Sequence, residues 1–217
     1  MVVACWSVKG GSGTTVVAAS LALTIAARSE SGVLLVDLAG DAPAALGLPD
    51  PSGPGVVGWA AAGCDVPADA LARLEVPVLP RVELLPRGDG EAMSVERLEL
   101  LAAMLASDHR TVVVDCGTVQ PWSPAVAVAA GASTSLLVIR PCYLALRRAV
   151  AAAIRPSGVV VVAEPGRALE RGDIEAVIGA PVRAQIALEP AIARAVDAGL
   201  LATRLPRVLQ RALRDVA

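Results

Sequence analysis

Seven consecutive residues, Lys9-Gly10-Gly11-Ser12-Gly13-Thr14-Thr15, carry the densest chemistry in the chain. They follow an apolar run, Val2–Val8, and precede an Ala-rich apolar pattern opening near Val16, so the order reads strand, glycine loop, helix start. Such a loop aims several backbone N–H groups and the positive end of a helix dipole at one point, which suits a phosphate. The spacing approaches the P-loop pattern with two departures: Val8 stands at the first glycine, and Thr14 at the phosphate-binding lysine. Lys9, on the early side of the loop, is the only lysine beside 18 arginines. The plainer reading is an ordinary glycine-rich strand-to-helix turn.

Two acids end further apolar runs. Asp37 closes Val33-Leu34-Leu35-Val36, and Asp115 closes Thr111-Val112-Val113-Val114. A carboxylate in such a place is costly to desolvate unless a cation or a hydrogen-bond donor meets it. Hydrated Mg²⁺ on nucleotide phosphates is such a partner, and it takes one or two carboxylates and a hydroxyl from the protein. Thr15 would supply the hydroxyl, Asp115 the adjacent acid, and Asp37 a contact through water. Read singly, each aspartate is as well explained as a cap in a strand-to-helix turn.

The elements that must hold these groups are legible as continuous apolar runs: Val2–Val8, Val33–Val36, Val82–Leu85, Thr111–Val114, Leu136–Ile139, Val159–Val162 and Val182–Ile186. Continuous rather than alternating hydrophobicity marks strands buried on both faces. With helical patterns between them, the expectation is an α/β fold: a mostly parallel sheet of seven or more strands with helices on both faces. The 217 residues suit one domain, 1–217. Ser94 opens a helix through Leu105, and Pro141 precedes one from Tyr143 to Ile154. Pro43–Gly63, rich in proline and glycine, reads as a surface connection with Trp59 packed under it.

No apolar run reaches bilayer length and the chain opens directly on a strand, so a soluble, cytoplasmic protein is expected. Cys5, Cys64, Cys116 and Cys142 are too scattered for a ligand set and read as buried thiols. Charge is uneven: residues 1–139 carry Lys9 and six arginines against 14 acids, whereas residues 140–217 carry 12 arginines against seven acids. A basic C-terminal third suits DNA or an anionic membrane, or is simply a solvated face.

Lys9–Thr15 resembles the deviant Walker A loop of the ParA/MinD superfamily, K-G-G-x-G-K-[ST]. Val33–Asp41 resembles the second motif of that family, and Val112–Gly117 its Walker B segment. Softer matches are Leu84-Leu85-Pro86-Arg87-Gly88, Ile186-Ala187-Leu188-Glu189-Pro190 and Ala195-Val196-Asp197-Ala198-Gly199. The resemblance implies ATP (or ADP) with Mg²⁺ held between two copies of the chain. The loop from Lys9 to Thr15 takes the phosphates, and Glu189 and Pro190 border the adenine. Thr15 and Asp115 hold the metal, with Asp37 acting through water. Lys9, reaching the partner's phosphates, and Asp37 carry the catalytic roles. A lysine suits that reach, since its point charge rides on a long flexible stem.

Three departures from the family pattern bear on activity. Thr14 removes the lysine used on the β- and γ-phosphates, and Ala39 replaces an acid that helps position the attacking water, with Asp41 two residues on. Glu164-Pro165 stands where many relatives have an asparagine that reads adenine. The resemblance therefore implies a positioning or assembly factor (pilus, secretion or partition machinery) with weak hydrolysis or none, like the TadZ/CpaE branch. The alternatives are an active ATPase cycling on nucleoid DNA or membrane, and a nucleotide-free scaffold. Arg194, Arg204, Arg207, Arg211 and Arg214 are the candidate DNA contacts. An amphipathic helix over 205–216 is expected to dock on the domain rather than lie on a membrane. Tyr143, Arg147 and Arg148 form either a surface for a protein partner or an ordinary exposed helix face.

Overall fold

The computed structural model describes residues 1–63, 66–67, 69–90 and 93–216. Among the described residues eight strands form one sheet: β1 (Val2–Ser7), β2 (Val33–Asp37), β3 (Val76–Leu79), β4 (Val82–Leu85), β5 (Thr111–Thr118), β6 (Thr134–Ile139), β7 (Gly158–Ala163) and β8 (Val182–Ala187). Their order is β3-β4-β2-β5-β1-β6-β7-β8, and every pairing is parallel except β3 with β4. The strand order reverses around β1, and the glycine loop leaves the sheet there, at the crevice where open α/β sheets take ligands.

Alternate residues of each strand feed two cores. Val2, Ala4 and Trp6 face a layer made by α3 (Gly55–Ala61), α4 (Val95–Ala106), α5 (Ala125–Gly131), α6 (Tyr143–Val150) and α7 (Arg171–Ile178). Val3 and Cys5 face the other layer, made by α1 (Thr14–Ala26), α2 (Ala42–Leu46), α8 (Pro190–Asp197) and α9 (Arg207–Leu213). Burial on both sides is why β1, β2, β6 and β7 read as unbroken apolar runs. The indole of Trp6, fully buried, donates to Ser135 Oγ at 3.0 Å, so its one polar atom is satisfied.

Several expectations shift in detail. The edge strand β3 is absent from the apolar runs because it is half-exposed and carries Pro77, which an edge strand tolerates. Pro43–Gly63 is not a bare connection but holds α2 and α3, and Trp59 is buried on α3 as anticipated. The helix after Pro141 stops at Val150, four residues before Ile154. Asp115 lies within β5 rather than at its end. The last helix spans Arg207–Leu213, shorter than 205–216. It docks against α1 and β8 with Leu209 and Leu213 each 1% exposed, so its apolar face is not available to a membrane. Arg28 fastens the same end by donating to the Arg214 carbonyl at 2.8 Å. Cys5 and Cys116 are buried free thiols, both pushed up by burial, Cys142 is half-buried and unpaired, and Cys64 lies outside the described residues.

Candidate functional site

The loop after β1 is held open by its own backbone. Gly11 (φ 73°) and Gly13 (φ 86°) take left-handed conformations that suit glycine. Ser12 Oγ donates to the Lys9 carbonyl at 2.9 Å and Ser7 Oγ to the same oxygen at 3.2 Å. Helix α1 starts at Thr14 with no side chain capping it, so its first N–H groups have no side-chain acceptor. A β-carbon on Gly10 or Gly11 would meet nothing within 4 Å. The loop therefore fronts open space: a cleft of about 590 Å³ lined by Gly10–Val16, Ala39, Asp41, Arg87, Gly117 and Thr118, among others.

Asp37 and Asp115 are register neighbours on β2 and β5, both with no exposed surface, yet they differ in their partners. Asp37 Oδ1 accepts from the N–H groups of Ala39 (2.9 Å) and Gly40 (2.7 Å), and Oδ2 from Ala42 N–H (3.0 Å). The three bonds fix the position of the Asp37 carboxylate, beside Asp115 and beneath the cleft. That carboxylate ties down the loop that enters α2, which is the capping alternative. Burial still raises its pKa, against those three bonds.

Asp115 Oδ1 accepts from Gly117 N–H at 3.0 Å, but Oδ2 is buried without a hydrogen-bond partner. Burial pushes this carboxyl up to about 7, the Thr15 hydroxyl beside it works in the opposite direction, and Asp37 raises it further. A buried carboxylate oxygen with an open valence beside a hydroxyl, under an uncapped helix start, fits hydrated Mg²⁺ on a phosphate. Thr15 and Asp115 are the residues that would hold it.

Lys9 is half-buried, and its ammonium donates only to the Gly10 carbonyl, at 3.4 Å. No carboxylate among the described residues pairs with it within 4 Å. Thr14 is buried in the first turn of α1 and brings no charge to the cleft. Ala39 lines the cleft and lies against Gly117, where an added β-carbon would be 3.0 Å from that of Ala39. Asp41 also lines the cleft, with a carboxylate that makes no capping bond.

A second cavity, about 190 Å³, opens on the other side of the glycine loop between the ends of β7 and β8. Val16, Val162, Ile186, Leu188, Ile192 and Val196 give it apolar walls suited to a flat base, with Arg140 and Asp197 at its polar edge. Glu189 and Pro190, expected to border adenine, do not line it. Both are exposed, Glu189 as the residue before α8, while their neighbours Leu188 and Ile192 form the wall. Glu164 is committed elsewhere, paired with Arg140 (3.2 Å) and with Arg167, whose hydrogen bonds hold its carboxyl below the usual range.

Sequence reasoning missed Arg87 as a wall of the main cleft, the apolar walls of the second cavity and Trp122, 80% exposed beside the cleft residues Ser123 and Pro124. The motif Leu84–Gly88 did contain Arg87, but only the packing of the turn shows where it goes. Away from the cleft, Arg194, Arg204, Arg207, Arg211 and Arg214 are exposed and unpaired with any acid among the described residues. Arg211 and Arg214 share with Arg28 a groove of about 340 Å³ beside the end of α1. Tyr143 is 76% exposed at the start of α6, with Arg147 and Arg148 exposed behind it.

A family profile described as cellulose biosynthesis protein BcsQ matches residues 1–116. No curated protein matches significantly. Among solved structures, a ParA family ATPase from Chlorobium tepidum is 21% identical, with a TM-score of 0.77 over 99% of this chain and 97% of that one. MinD from Pyrococcus horikoshii, complexed with Mg-ADP, is 19% identical, with a TM-score of 0.76 over 100% and 94%. A single-substitution variant of McdA from Cyanothece, in complex with ATP, is 15% identical, with a TM-score of 0.74 over 99% and 94%. The fold is that of the ParA/MinD ATPases.

Proposed function

The chain belongs to the family described as cellulose biosynthesis protein BcsQ, and on that premise we propose an ATP-binding positioning or assembly factor that joins two copies around Mg-nucleotide with weak hydrolysis or none. The observation that carries this reading is the buried, unpartnered Asp115 Oδ2 beside Thr15, beneath the uncapped start of α1. Bound Mg²⁺ would neutralise phosphate charge there. The chain's own parts divide the rest. Backbone N–H groups from Gly10 to Thr15 cradle the phosphates, the apolar cavity takes the base, and Lys9, unpaired and half-exposed, reaches the phosphates of the second copy.

Turnover is slow for two reasons. Thr14 forgoes one charge-assisted phosphate contact, a loss of about 1.5–3 kcal/mol or roughly ten- to a hundredfold in affinity. Ala39 offers no group to orient water, and phosphoryl transfer depends on both parts. The family description points to cellulose synthesis as the machinery served, in the cytoplasm and in the manner of the TadZ/CpaE-like positioning proteins. The unpaired arginines of α8 and α9 favour a second reading, an ATPase that cycles on nucleoid DNA. Phosphate release measured with and without DNA or anionic vesicles separates the two. Slow, unstimulated release is expected, and robust stimulation establishes the second reading instead. A chain that takes up no nucleotide at millimolar concentration is a scaffold only.

A further inference from the structure

We infer that Arg87 brings to the distal phosphate of the bound nucleotide the positive charge that Thr14 withholds, so that the phosphate contact has moved from the glycine loop to the turn after β4. This rests on the nucleotide reading above. The direction of the nucleotide follows from the strand order. The apolar base cavity lies at β7 and β8, the glycine loop at β1, and Asp115 at β5, so the phosphate chain runs away from the base toward β5, β2 and β4. Arg87, at the end of β4, is at the far end of that line. It is the one cationic side chain lining the main cleft among the described residues, and it has no carboxylate within 4 Å among them.

The turn that carries Arg87 is fixed. Val56 N–H donates to the Pro86 carbonyl and Val57 N–H to the Arg87 carbonyl, both at 2.9 Å. Gly55 and Gly88 let the two backbones touch: a β-carbon on Gly88 (φ 73°) would stand 2.1 Å from the Pro54 carbonyl oxygen. Arg97 stacks over Trp59 with its guanidinium 4.2 Å from the ring and donates to the Trp59 carbonyl at 3.0 Å, clamping α3 to α4 beneath the turn. The Arg87 stem then runs beside Gly40, where a β-carbon would lie 3.5 Å from Arg87 Cδ, and Gly40 is itself tied to Asp37. The guanidinium spends one N–H on the Gly88 carbonyl at 3.2 Å and keeps the others for a ligand. A fixed base, a defined exit and spare donors are what a phosphate contact needs. A surface arginine kept only for solubility needs none of them.

Calorimetric titration of the full chain with Mg-ATP and Mg-ADP tests this on wild type, Arg87→Ala, Arg87→Lys and the double variant Thr14→Lys/Arg87→Ala. Arg87→Ala should weaken Mg-ATP by roughly ten- to a hundredfold and Mg-ADP by less than about threefold. Arg87→Lys should recover most of the affinity, and Thr14→Lys should restore it in the Arg87→Ala background. An Arg87→Ala protein that melts like wild type yet binds Mg-ATP within twofold of it overturns the inference. So does an equal loss for both nucleotides, or a double variant that stays weak. Failure of wild type itself to bind millimolar nucleotide removes the underlying reading and this inference together, and is told apart by that control.

Discussion

Asp37 and Asp115 look alike in sequence, each closing an apolar run, and the hydrogen-bond ledger separates them. Three backbone N–H groups engage both oxygens of Asp37, whereas Asp115 keeps one buried oxygen without a partner. Nothing in the local sequence carries that difference, because it depends on how residues 39–42 fold back. Burial holds the Asp115 carboxyl near 7, above its unfolded value, so the sign is set. Its contribution to stability is full below the unfolded pKa and is lost as pH rises through about 7. Asp115→Asn should therefore raise the melting temperature of the nucleotide-free protein more at pH 8 than at pH 5, and abolish Mg²⁺-dependent nucleotide uptake. A melting curve at each pH checks the first part. Thr14→Lys should act in the opposite sense on binding, tightening Mg-ATP in titration calorimetry, and by less with Arg87 present than in the Arg87→Ala background.

The elements most visible in the sequence are those buried on both faces, since a central parallel strand needs apolar residues at every position. β3 escaped because an edge strand needs no such run, and α2 and α3 escaped because their prolines and glycines read as turn signals although they serve helix starts and close contacts. Gly55 and Gly88 show the cost of those contacts. Gly88→Ala would force a left-handed alanine into the Pro54 carbonyl and should destabilise the fold by about 2 kcal/mol or more, read as a lower urea midpoint. At the opposite end of the sheet, Arg110 bonds Glu75 at 2.7 and 2.8 Å and Asp108 at 2.8 Å. Burial works against the Asp108 charge, but the bonds from Arg110 outweigh it and hold that carboxyl below its usual range. The stabilisation is present above the unfolded pKa and is lost as pH falls below roughly 4. Asp108→Asn should flatten that acid limb of the melting profile.

At the scale of the whole molecule, the sheet order places an apolar cavity, a glycine loop and an acid with a buried unpartnered oxygen in one line. Lys9 stands free at its edge, with no acid partner among the described residues. The glycine loop, its helix and the two motif acids were legible because each is set by a short run of adjacent residues. The apolar second cavity was not, because its walls come from α1, β7, β8 and α8 and are ordinary core residues in each. The central claim is that this line of groups joins two copies through nucleotide. Sedimentation velocity with and without millimolar Mg-ATP, on wild type and Lys9→Ala, tests it most directly. The account predicts a shift from monomer to dimer on adding Mg-ATP that Lys9→Ala does not make. A wild-type chain whose sedimentation is unchanged by Mg-ATP, or a Lys9→Ala chain that dimerises equally well, contradicts it.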